Sequence, residues 1–314
     1  MISASGAPAV RRIDLALILL VTLAWGLNYP LMKSVVAGYP PMTFRGLTFL
    51  LALIVIGGYG LYRRDRFRIP AGERAKVFQI GLFNMLFWHL GLILSLTLLN
   101  SGRAAIVGYS MPIWALLTSI LIYKQKMTLR AGIGIVLALC ATYLLTIDEI
   151  GKLTGQPLGM ALILTAAICW GIGNAMVKHS TLTISNVVLS FWSLTLACVI
   201  CLALGAAFEL PQWRMPNLFE WLGIIYNGVI ALALGYVAWF TVARRLSAVT
   251  SGLSIMLVPM VAVIGGAIWL SEAITKTDLF ALMFILAAMA TVMLPARAGG
   301  LRPAAETASR ARRS

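Results

Sequence analysis

Residues 25–34 read WGLNYPLMKS and residues 170–180 read WGIGNAMVKHS, with an offset of 145 between the two tryptophans. Each copy contains a Trp-Gly pair, then an asparagine, then a lysine, near the end of an otherwise apolar run. A single copy would indicate only a kinked helix in lipid. Because the least hydrophobic phrase of a hydrophobic chain occurs twice, we expect two related halves.

The composition is that of an integral membrane protein. The 314 residues are 61% hydrophobic and 11% charged, with a mean hydropathy of +0.93, outside the range of soluble domains. Charges are confined between apolar runs of about 20 residues, the length that crosses a bilayer as a helix. Since backbone groups in lipid must be bonded internally, the sequence predicts an all-α fold. The ten predicted spans are 13–33, 41–61, 76–99, 102–122, 129–147, 158–178, 185–206, 218–243, 249–270 and 277–295.

The basic residues predict the orientation. With a cytoplasmic N-terminus, most of the 25 lysines and arginines lie on the cytoplasmic side, as the positive-inside rule requires. We therefore expect a cytoplasmic segment 1–12, helical halves 13–147 and 158–295, and a basic cytoplasmic tail 296–314. The net charge of +15 is explained by topology, so no nucleic-acid partner is predicted. Lys33, Arg103, Lys152, Arg214 and Lys276 would face the outside.

The fourth and ninth spans repeat one pattern at an offset of 147. Both carry small residues on one face and a proline, Pro112 or Pro259, at the same depth. Such a face favours close helix packing, and a proline in a helix frees a carbonyl, so we predict hinges at both. Because five spans per half is an odd number, the second half must run inverted. Inverted repeats are typical of secondary transporters that work by alternating access. The matched residues are Ser101, Ala105, Gly108, Pro112, Ala115 and Ser119 with Ala248, Gly252, Ile255, Pro259, Ala262 and Gly266.

These features together resemble the EamA branch of the drug/metabolite transporter superfamily. The resemblance is carried by the five-plus-five organisation, the W-G-x-N phrase, PPMTFRGLTFLLAL at 40–53 and AVTSGLSIMLVPMVAVIGGAIWLSEAIT at 248–275. It covers residues 13–295. It implies a multi-pass exporter in the bacterial inner membrane that carries amino acids, other metabolites or toxic compounds, with aromatic amino acids as the first expectation.

One position departs from the family pattern. The family ends its ninth helix with a Gly-Glu-like pair, and here Ser271 and Glu272 hold that place. The equivalent position in the first half is Gln125, where many members have glutamate. The departure argues against symmetric acidic roles in the two halves.

The candidate site consists of aromatic and amide side chains within the spans. Aromatic walls would bind an amphipathic ring by stacking and attract a cationic amine, and amides and hydroxyls would replace water around a zwitterion. The alternatives are packing against the bundle or lipid for the tryptophans and interhelical bonding for the amides. The predicted substrate-binding residues are Trp25, Asn28, Asn84, Trp88, His89, Tyr109, Trp170, Asn174, Tyr236 and Trp239.

Ionisable groups inside the spans are few. His89 lies near mid-span and would suit proton coupling, substrate contact or a structural bond to a neighbouring helix. Arg45 would either satisfy carbonyls at a helix end or bind a substrate carboxylate. Lys33 and Lys178 are expected to snorkel to the interface. The acidic residues fall at span ends, in loops or in the tail, so no acidic proton relay is predicted.

Other chemistries lack a motif. No phosphate-binding glycine loop, metal-ligand cluster or nucleophile–base pair is visible, and Cys198 and Cys201 are interpreted as packing residues. The sequence therefore predicts no enzyme, cofactor or metal, and only a small-molecule substrate and membrane lipid as partners. The alternatives are an exporter of other amino acids or cationic drugs and a non-transporting structural or sensory protein. The oligomeric state is left open.

Overall fold

The fold is described from a computed structural model, for residues 12–151, 155–236, 238 and 248–293. Within these ranges all regular structure is helical, as the sequence predicted. The predicted tail 296–314 and nearly all of segment 1–12 lie outside the described residues.

The first half of the chain contains eight helices and one π-helical segment. The π-helical segment Gly81–Phe87 joins α4 to α5 within one span. The helices are α1 Arg12–Gly26, α2 Asn28–Val36, α3 Pro41–Tyr62, α4 Arg74–Ile80, α5 Trp88–Leu96, α6 Ser101–Gly108, α7 Met111–Leu121 and α8 Leu129–Ile150.

The described part of the second half contains five helices and a second π-helical segment. The segment Tyr226–Leu234 continues α11, as Gly81–Phe87 continues α4. The helices are α9 Pro157–Lys178, α10 Asn186–Phe208, α11 Leu218–Ile225, α12 Ala248–Leu270 and α13 Lys276–Met293.

Seven helical segments in the described part are long and apolar enough to cross a membrane, so the chain is a multi-pass membrane protein. Two shorter apolar segments, Leu218–Leu234 and Ile255–Leu270, follow them. The count of ten spans and the orientation of the termini stay predictions. The seven are Arg12–Val36, Pro41–Tyr62, Ala71–Leu96, Ser101–Leu121, Leu129–Ile150, Pro157–Lys178 and Asn186–Phe208.

The matched spans of the two halves differ in continuity. The first span breaks at Leu27 between α1 and α2, whereas its copy α9 is unbroken. Pro30 has no N–H and so leaves the carbonyl of Gly26 without its helical donor. The fourth span breaks at residues 109–110, so Pro112 lies in the first turn of α7, while α12 runs through Pro259. The sequence predicted equal bends at both prolines; the structure places only Pro112 beside a break, and a hinge role for either stays a prediction.

Helices from the two halves pack against each other throughout the bundle. α3 packs on α10, α9 on α5 and α7, α1 on α12, and α8 on α13. Small residues permit this close approach. A Cβ on Gly91 would lie 2.8 Å from the Cβ of Ala166, and one on Gly173 would lie 2.8 Å from the backbone nitrogen of Asn84. The interlocked helices leave a cavity between them.

Candidate functional site

A cavity of about 370 Å³ lies between helices of both halves. Every predicted site residue in the described part of the chain lines it, and Trp239 lies outside the described residues. Lining is not binding, so their role toward a substrate stays a prediction. The lining residues that were predicted are Trp25, Asn28, Asn84, Trp88, His89, Tyr109, Trp170, Asn174 and Tyr236.

Aromatic rings form two opposing groups on the cavity wall. Trp25 meets Tyr236 edge to face, with 5.6 Å between ring centroids. Trp88 lies 6.3 Å from Trp170, the second copy of Trp25. The indole N–H of Trp25 donates to the carbonyl of Ala231 at 2.9 Å, which fixes the ring. The edges and faces left toward the cavity suit an aromatic guest.

The amides form two pairs, and each pair joins one half of the chain to the other. Asn227 Nδ2 donates to Asn28 Oδ1 at 2.7 Å, and Asn84 Nδ2 donates to Asn174 Oδ1 at 2.8 Å. Asn28 and Asn174 are the repeated asparagines of the Trp-Gly phrase. Asn28, Asn84 and Asn174 therefore bond between helices and also line the cavity, so the two interpretations of these residues are compatible.

Both π-helical segments border the cavity, and their first glycines correspond at the offset of 147. A Cβ on Gly81 would lie 3.2 Å from the Cα of Ser193, and one on Gly228 would lie 2.7 Å from the carbonyl of Thr48. The glycines bring these segments against neighbouring helices. π-Helical turns are rare and often occur at functional sites. Sequence periodicity gave no signal for them, because a π turn shifts register by one residue within a continuous helix.

His89 is buried, with 4% of its surface exposed. Its Nδ1 is 2.9 Å from the carbonyl of Met85 on its own helical segment, rather than bonded to a neighbouring helix. The Phe49 ring meets it edge to face at 5.1 Å. Tyr109 lies at the break between α6 and α7, 6.4 Å from the ring of Tyr29.

The sequence analysis missed the contribution of α10. Asn186, Leu189, Ser190 and Ser193 all line the cavity. The polar residues at i, i+4 and i+7 of an otherwise apolar helix are the signal that could have found them. Trp192 on the same helix does not line the cavity; it is 38% exposed and donates to the carbonyl of Phe67 at 2.7 Å.

One end of the bundle, named here the Lys33 end, is tied together by Lys33, Ser101 and Glu272. Lys33 Nζ lies 2.8 Å from Glu272 Oε1 and 2.8 Å from the carbonyl of Leu99. The N–H and hydroxyl of Ser101 donate to the same carboxylate at 2.9 and 2.8 Å. Lys33 is therefore held in an ion pair, which corrects the expectation that it snorkels to the interface.

Burial alone would raise the pKa of Glu272. Hydrogen bonds from Lys33 and Ser101, with the positive charge of Lys33, outweigh burial and hold the pKa below its ordinary value of 4.5. The carboxylate is thus charged at neutral pH and fastens three segments of the chain.

A second cluster lies beside the first. Arg103, in the first turn of α6, bonds Glu149, Asp148 at 2.5 Å and Asp278 at 2.8 Å. Its side chain is 3% exposed. Arg103 and the Glu272 carboxylate therefore close this end of the bundle with charges drawn from both halves.

At the opposite end, named here the Lys178 end, the matching lysine has a neutral partner. Lys178 Nζ donates to Gln125 Oε1 at 3.2 Å, and this pair is exposed. Asn186, the first residue of α10, is exposed and lines the cavity. The cavity therefore reaches the surface at the Lys178 end, whereas the ion pairs of Lys33 and Arg103 lie at the other end.

The cavity lining suits an organic guest. No cluster of three or more metal-ligating side chains occurs in the described part of the chain. The lining contains tryptophans, amides, hydroxyls and Arg45, and no aspartate or glutamate among the described residues.

Comparisons with known proteins agree with this architecture. The chain is 26% identical over 261 residues to the "Uncharacterized transporter YoaV" of Bacillus subtilis (strain 168), covering 82% of this chain and 89% of that one. It is 25% identical over 300 residues to the "Probable amino-acid metabolite efflux pump" of Escherichia coli (strain K12), covering 88% and 93%. A solved crystal structure shares the fold, with a TM-score of 0.64 at 19% identity and coverage of 92% of this chain and 99% of that one.

A family model decides the assignment. Residues 12–147 and 157–294 each match the model of the EamA-like transporter family, one copy in each half of the chain. The family and the names of these relatives indicate a transporter and not an enzyme. The chain therefore belongs to the EamA-like transporter family.

Proposed function

We propose that this chain is a secondary transporter that exports small amphipathic metabolites, with aromatic amino acids as its first cargo, across the bacterial inner membrane. The observation that carries the proposal is the single cavity in which Trp25, Trp88 and Trp170 stand beside the paired amides of both halves. Tryptophan faces bind a ring, and the amides replace water around a polar end. Within the family this corresponds to a YddG-like exporter of aromatic amino acids.

The orientation follows from the basic residues. With both termini in the cytoplasm, the Lys33 end faces outward and the cavity opens to the cytoplasm. An exporter loads its cargo from this side. The ion pairs of Lys33 and Arg103 would then form the outer closure, which must open for release.

Alternating access is supported by the matched parts of the two halves. Each half has one π-helical segment, and the asparagine pair and the lysine contact each occur twice between the halves. An inverted repeat allows two arrangements of similar energy, one open at each end. Pro112 and Pro259 are the proposed hinges of this movement.

Export of cationic drugs is the weaker candidate. A cation would favour an acidic side chain, and no described residue of the lining provides one. Export of amino acids is supported by the name of the Escherichia coli relative, an amino-acid metabolite efflux pump.

The experiment is efflux from liposomes that contain the purified protein and are loaded in turn with labelled phenylalanine, threonine and a cationic dye. We expect phenylalanine to leave fastest. The variant Trp170→Ala should weaken phenylalanine binding about tenfold by removing a stacking face. Trp213→Ala, which removes an exposed tryptophan outside the cavity, is the matched control.

Two results would contradict the proposal in different ways. Flux of none of the three compounds would exclude an exporter of this kind. Faster flux of the dye than of phenylalanine would exclude the proposed cargo. Repeating the assay with and without a pH gradient tests the energy source, because equal flux would exclude obligatory proton coupling.

A further inference from the structure

Arg45 is a buried cation on the cavity wall. It lies one turn inside α3 and is 1% exposed, yet it is among the residues that line the cavity. Its Nη1 donates to Asn227 Oδ1 at 2.9 Å, and its Nη2 contacts the sulfur of Met32 at 2.9 Å. Its Nε has no hydrogen-bond partner in the described part of the chain. A guanidinium has five N–H donors, so most of its hydrogen-bonding capacity is unused.

The charge of Arg45 is also uncompensated. Arg103 and Arg214 pair with carboxylates, but no described residue gives Arg45 an ion pair. All aspartates and glutamates of the chain except Glu306 lie in the described ranges. The rings of Phe44 and Phe49, 5.8 and 5.7 Å from the guanidinium carbon, offer only a weak attraction. A buried, unpaired charge in a membrane is costly and marks a place where a counter-ion binds.

Asn227 orients this cation. It accepts from Arg45 and donates to Asn28, so a chain of side chains runs from Arg45 through Asn227 to the repeated asparagine of the first span. The guanidinium is held on one edge and keeps its Nε free. Guanidinium edges bind carboxylates with two parallel hydrogen bonds.

We propose that Arg45 binds the carboxylate of the cargo and that the cavity therefore selects aromatic monocarboxylates over amines that carry the same ring. The inference rests on the proposed function, because it names the polar end of the proposed cargo. An ammonium group would find only neutral oxygens and ring faces on the described lining. Removing the ammonium from an aromatic amino acid should thus leave binding unharmed, whereas removing the carboxylate should abolish it.

The test compares three ligands that share a phenyl ring and a short chain. These are 3-phenylpropionate, L-phenylalanine and 2-phenylethylamine, added to the purified full-length protein in detergent. Binding is measured as the rise in unfolding temperature and as displacement of labelled phenylpropionate. We expect phenylpropionate to bind at least as tightly as phenylalanine and phenylethylamine to bind more than tenfold more weakly.

The decisive variant keeps Arg45 in place. Asn227→Asp puts a carboxylate 2.9 Å from the guanidinium, so the site holds an internal counter-ion and the fold loses no cation. We expect it to bind phenylpropionate at least tenfold more weakly, with an unfolding temperature without ligand close to that of the wild type, because the new ion pair offsets the hydrogen bond that Asn227 donates to Asn28. Arg45→Lys should retain part of the preference for carboxylates. Arg66→Gln, which removes an exposed arginine outside the cavity, should change nothing.

The outcomes separate this inference from the proposed function. Three results would each overturn the role of Arg45. They are equal binding of phenylethylamine and phenylpropionate, binding of neither, and an unchanged affinity of Asn227→Asp for phenylpropionate. If liposomes show no phenylalanine efflux while Arg45-dependent phenylpropionate binding remains, the proposed cargo is wrong and the carboxylate site stands. If efflux occurs at the wild-type rate in Asn227→Asp, the exporter stands and the carboxylate site is wrong.

Discussion

The Lys33 end and the Lys178 end are built on the same backbone. Ser271 and Lys124 adopt left-handed conformations, with φ of 54° and 56°, and each precedes the residue that meets the lysine. Glu272 N–H donates to the carbonyl of Gly266 at 3.2 Å, and Gln125 N–H donates to the carbonyl of Ser119 at 3.1 Å. These pairs are related by the offset of 147, so the two halves repeat the turn in detail.

The side chains on this shared backbone differ. Glu272 forms a partly buried ion pair with Lys33, whereas Gln125 makes one exposed contact with Lys178. The exchange of a carboxylate for an amide therefore gives Lys33 an ion pair and Lys178 a neutral hydrogen bond. An internal repeat can thus keep its backbone geometry while the side-chain contacts at its two ends differ in strength.

The largest effect is expected where the two Trp-Gly pairs pack. A Cβ on Gly171 would lie 2.6–2.8 Å from Trp114 and from the backbone nitrogen of Ala115. Because backbone cannot turn aside as a side chain can, Gly171→Ala should destabilise the protein by about 3 kcal/mol. The measurement is the free energy of unfolding in detergent.

Gly26→Ala is the matched control for that change. A Cβ there would lie 2.5 Å from Cβ and Cγ1 of Val261, but its nearest backbone atom, the carbonyl oxygen of Val258, is at 3.1 Å, against 2.7 Å for the backbone contact of Gly171. Its cost should be about 1–2 kcal/mol. A greater loss for Gly26→Ala than for Gly171→Ala would show that the two copies do not differ in the way their contacts indicate.

Glu272→Gln makes the two ends chemically alike. The variant removes the ion pair and leaves Lys33, whose side chain is 26% exposed, without its counter-ion. We expect a loss of about 2 kcal/mol, below the range for a fully buried pair because water reaches the lysine. The unfolding temperature should fall, and Gln125→Ala should lower it much less. Equal losses for the two variants would contradict the contrast between the ends.

Acid should remove the same contribution without a mutation. The folded-state pKa of Glu272 lies below 4.5, so its ion pair stabilises the protein above the pKa of the unfolded state. That stabilisation is lost as the pH falls below about 4.5 through the lower folded value. The difference in unfolding temperature between wild type and Glu272→Gln should shrink as the pH is lowered. If the difference in unfolding temperature stays constant down to the most acidic pH that the protein tolerates, the contribution of Glu272 comes from packing and not from its charge.

The smallest effect is expected for Gln125→Glu, which gives the Lys178 end its own acid. The new pair is exposed in the present arrangement and gains strength only if that end closes. We expect a shift of a few fold toward the closed Lys178 end. It is measured as a slower reaction of a thiol reagent with Ser190→Cys in the cavity. Cys140 and Cys169 are replaced by serine so that they do not react. Adding Lys178→Met should restore the labelling rate. A labelling rate that is the same in all three proteins would contradict a coupling between the Gln125→Glu carboxylate and Lys178.

Much of the cavity could be predicted from the sequence. The tryptophans and asparagines of the first and sixth spans stand in a repeated phrase beside a glycine, and Asn84 and Trp88 were recognised as polar and aromatic residues inside the third span. Arg45 was recognised as having either a structural or a binding role, and only its partners in space separate these. The polar face of α10 is visible in the sequence spacing, but it lies outside the repeated phrases and was not predicted to line the cavity.

Other features were not predicted from the repeated phrases. Lys33 lies at the end of an apolar run, where a lysine usually snorkels to the interface. Its partner Glu272 is 239 residues away in sequence, so the ion pair could not be predicted locally. The break at Leu27 and its absence in α9 depend on Pro30, which only the first copy contains. The π-helical segments leave composition and periodicity almost unchanged.

The sequence by itself determined that the chain is a helical membrane protein built from two related halves. Continuous apolar runs of about 20 residues, in lipid where backbone groups must bond internally, specify helices, because membrane strands would show an alternating pattern. Only the tertiary structure decided which polar groups neutralise each other, which end is fastened and which cation is left for a guest. Those outcomes depend on distances of a few ångströms between helices far apart in sequence, where electrostatic interaction falls steeply with separation and burial.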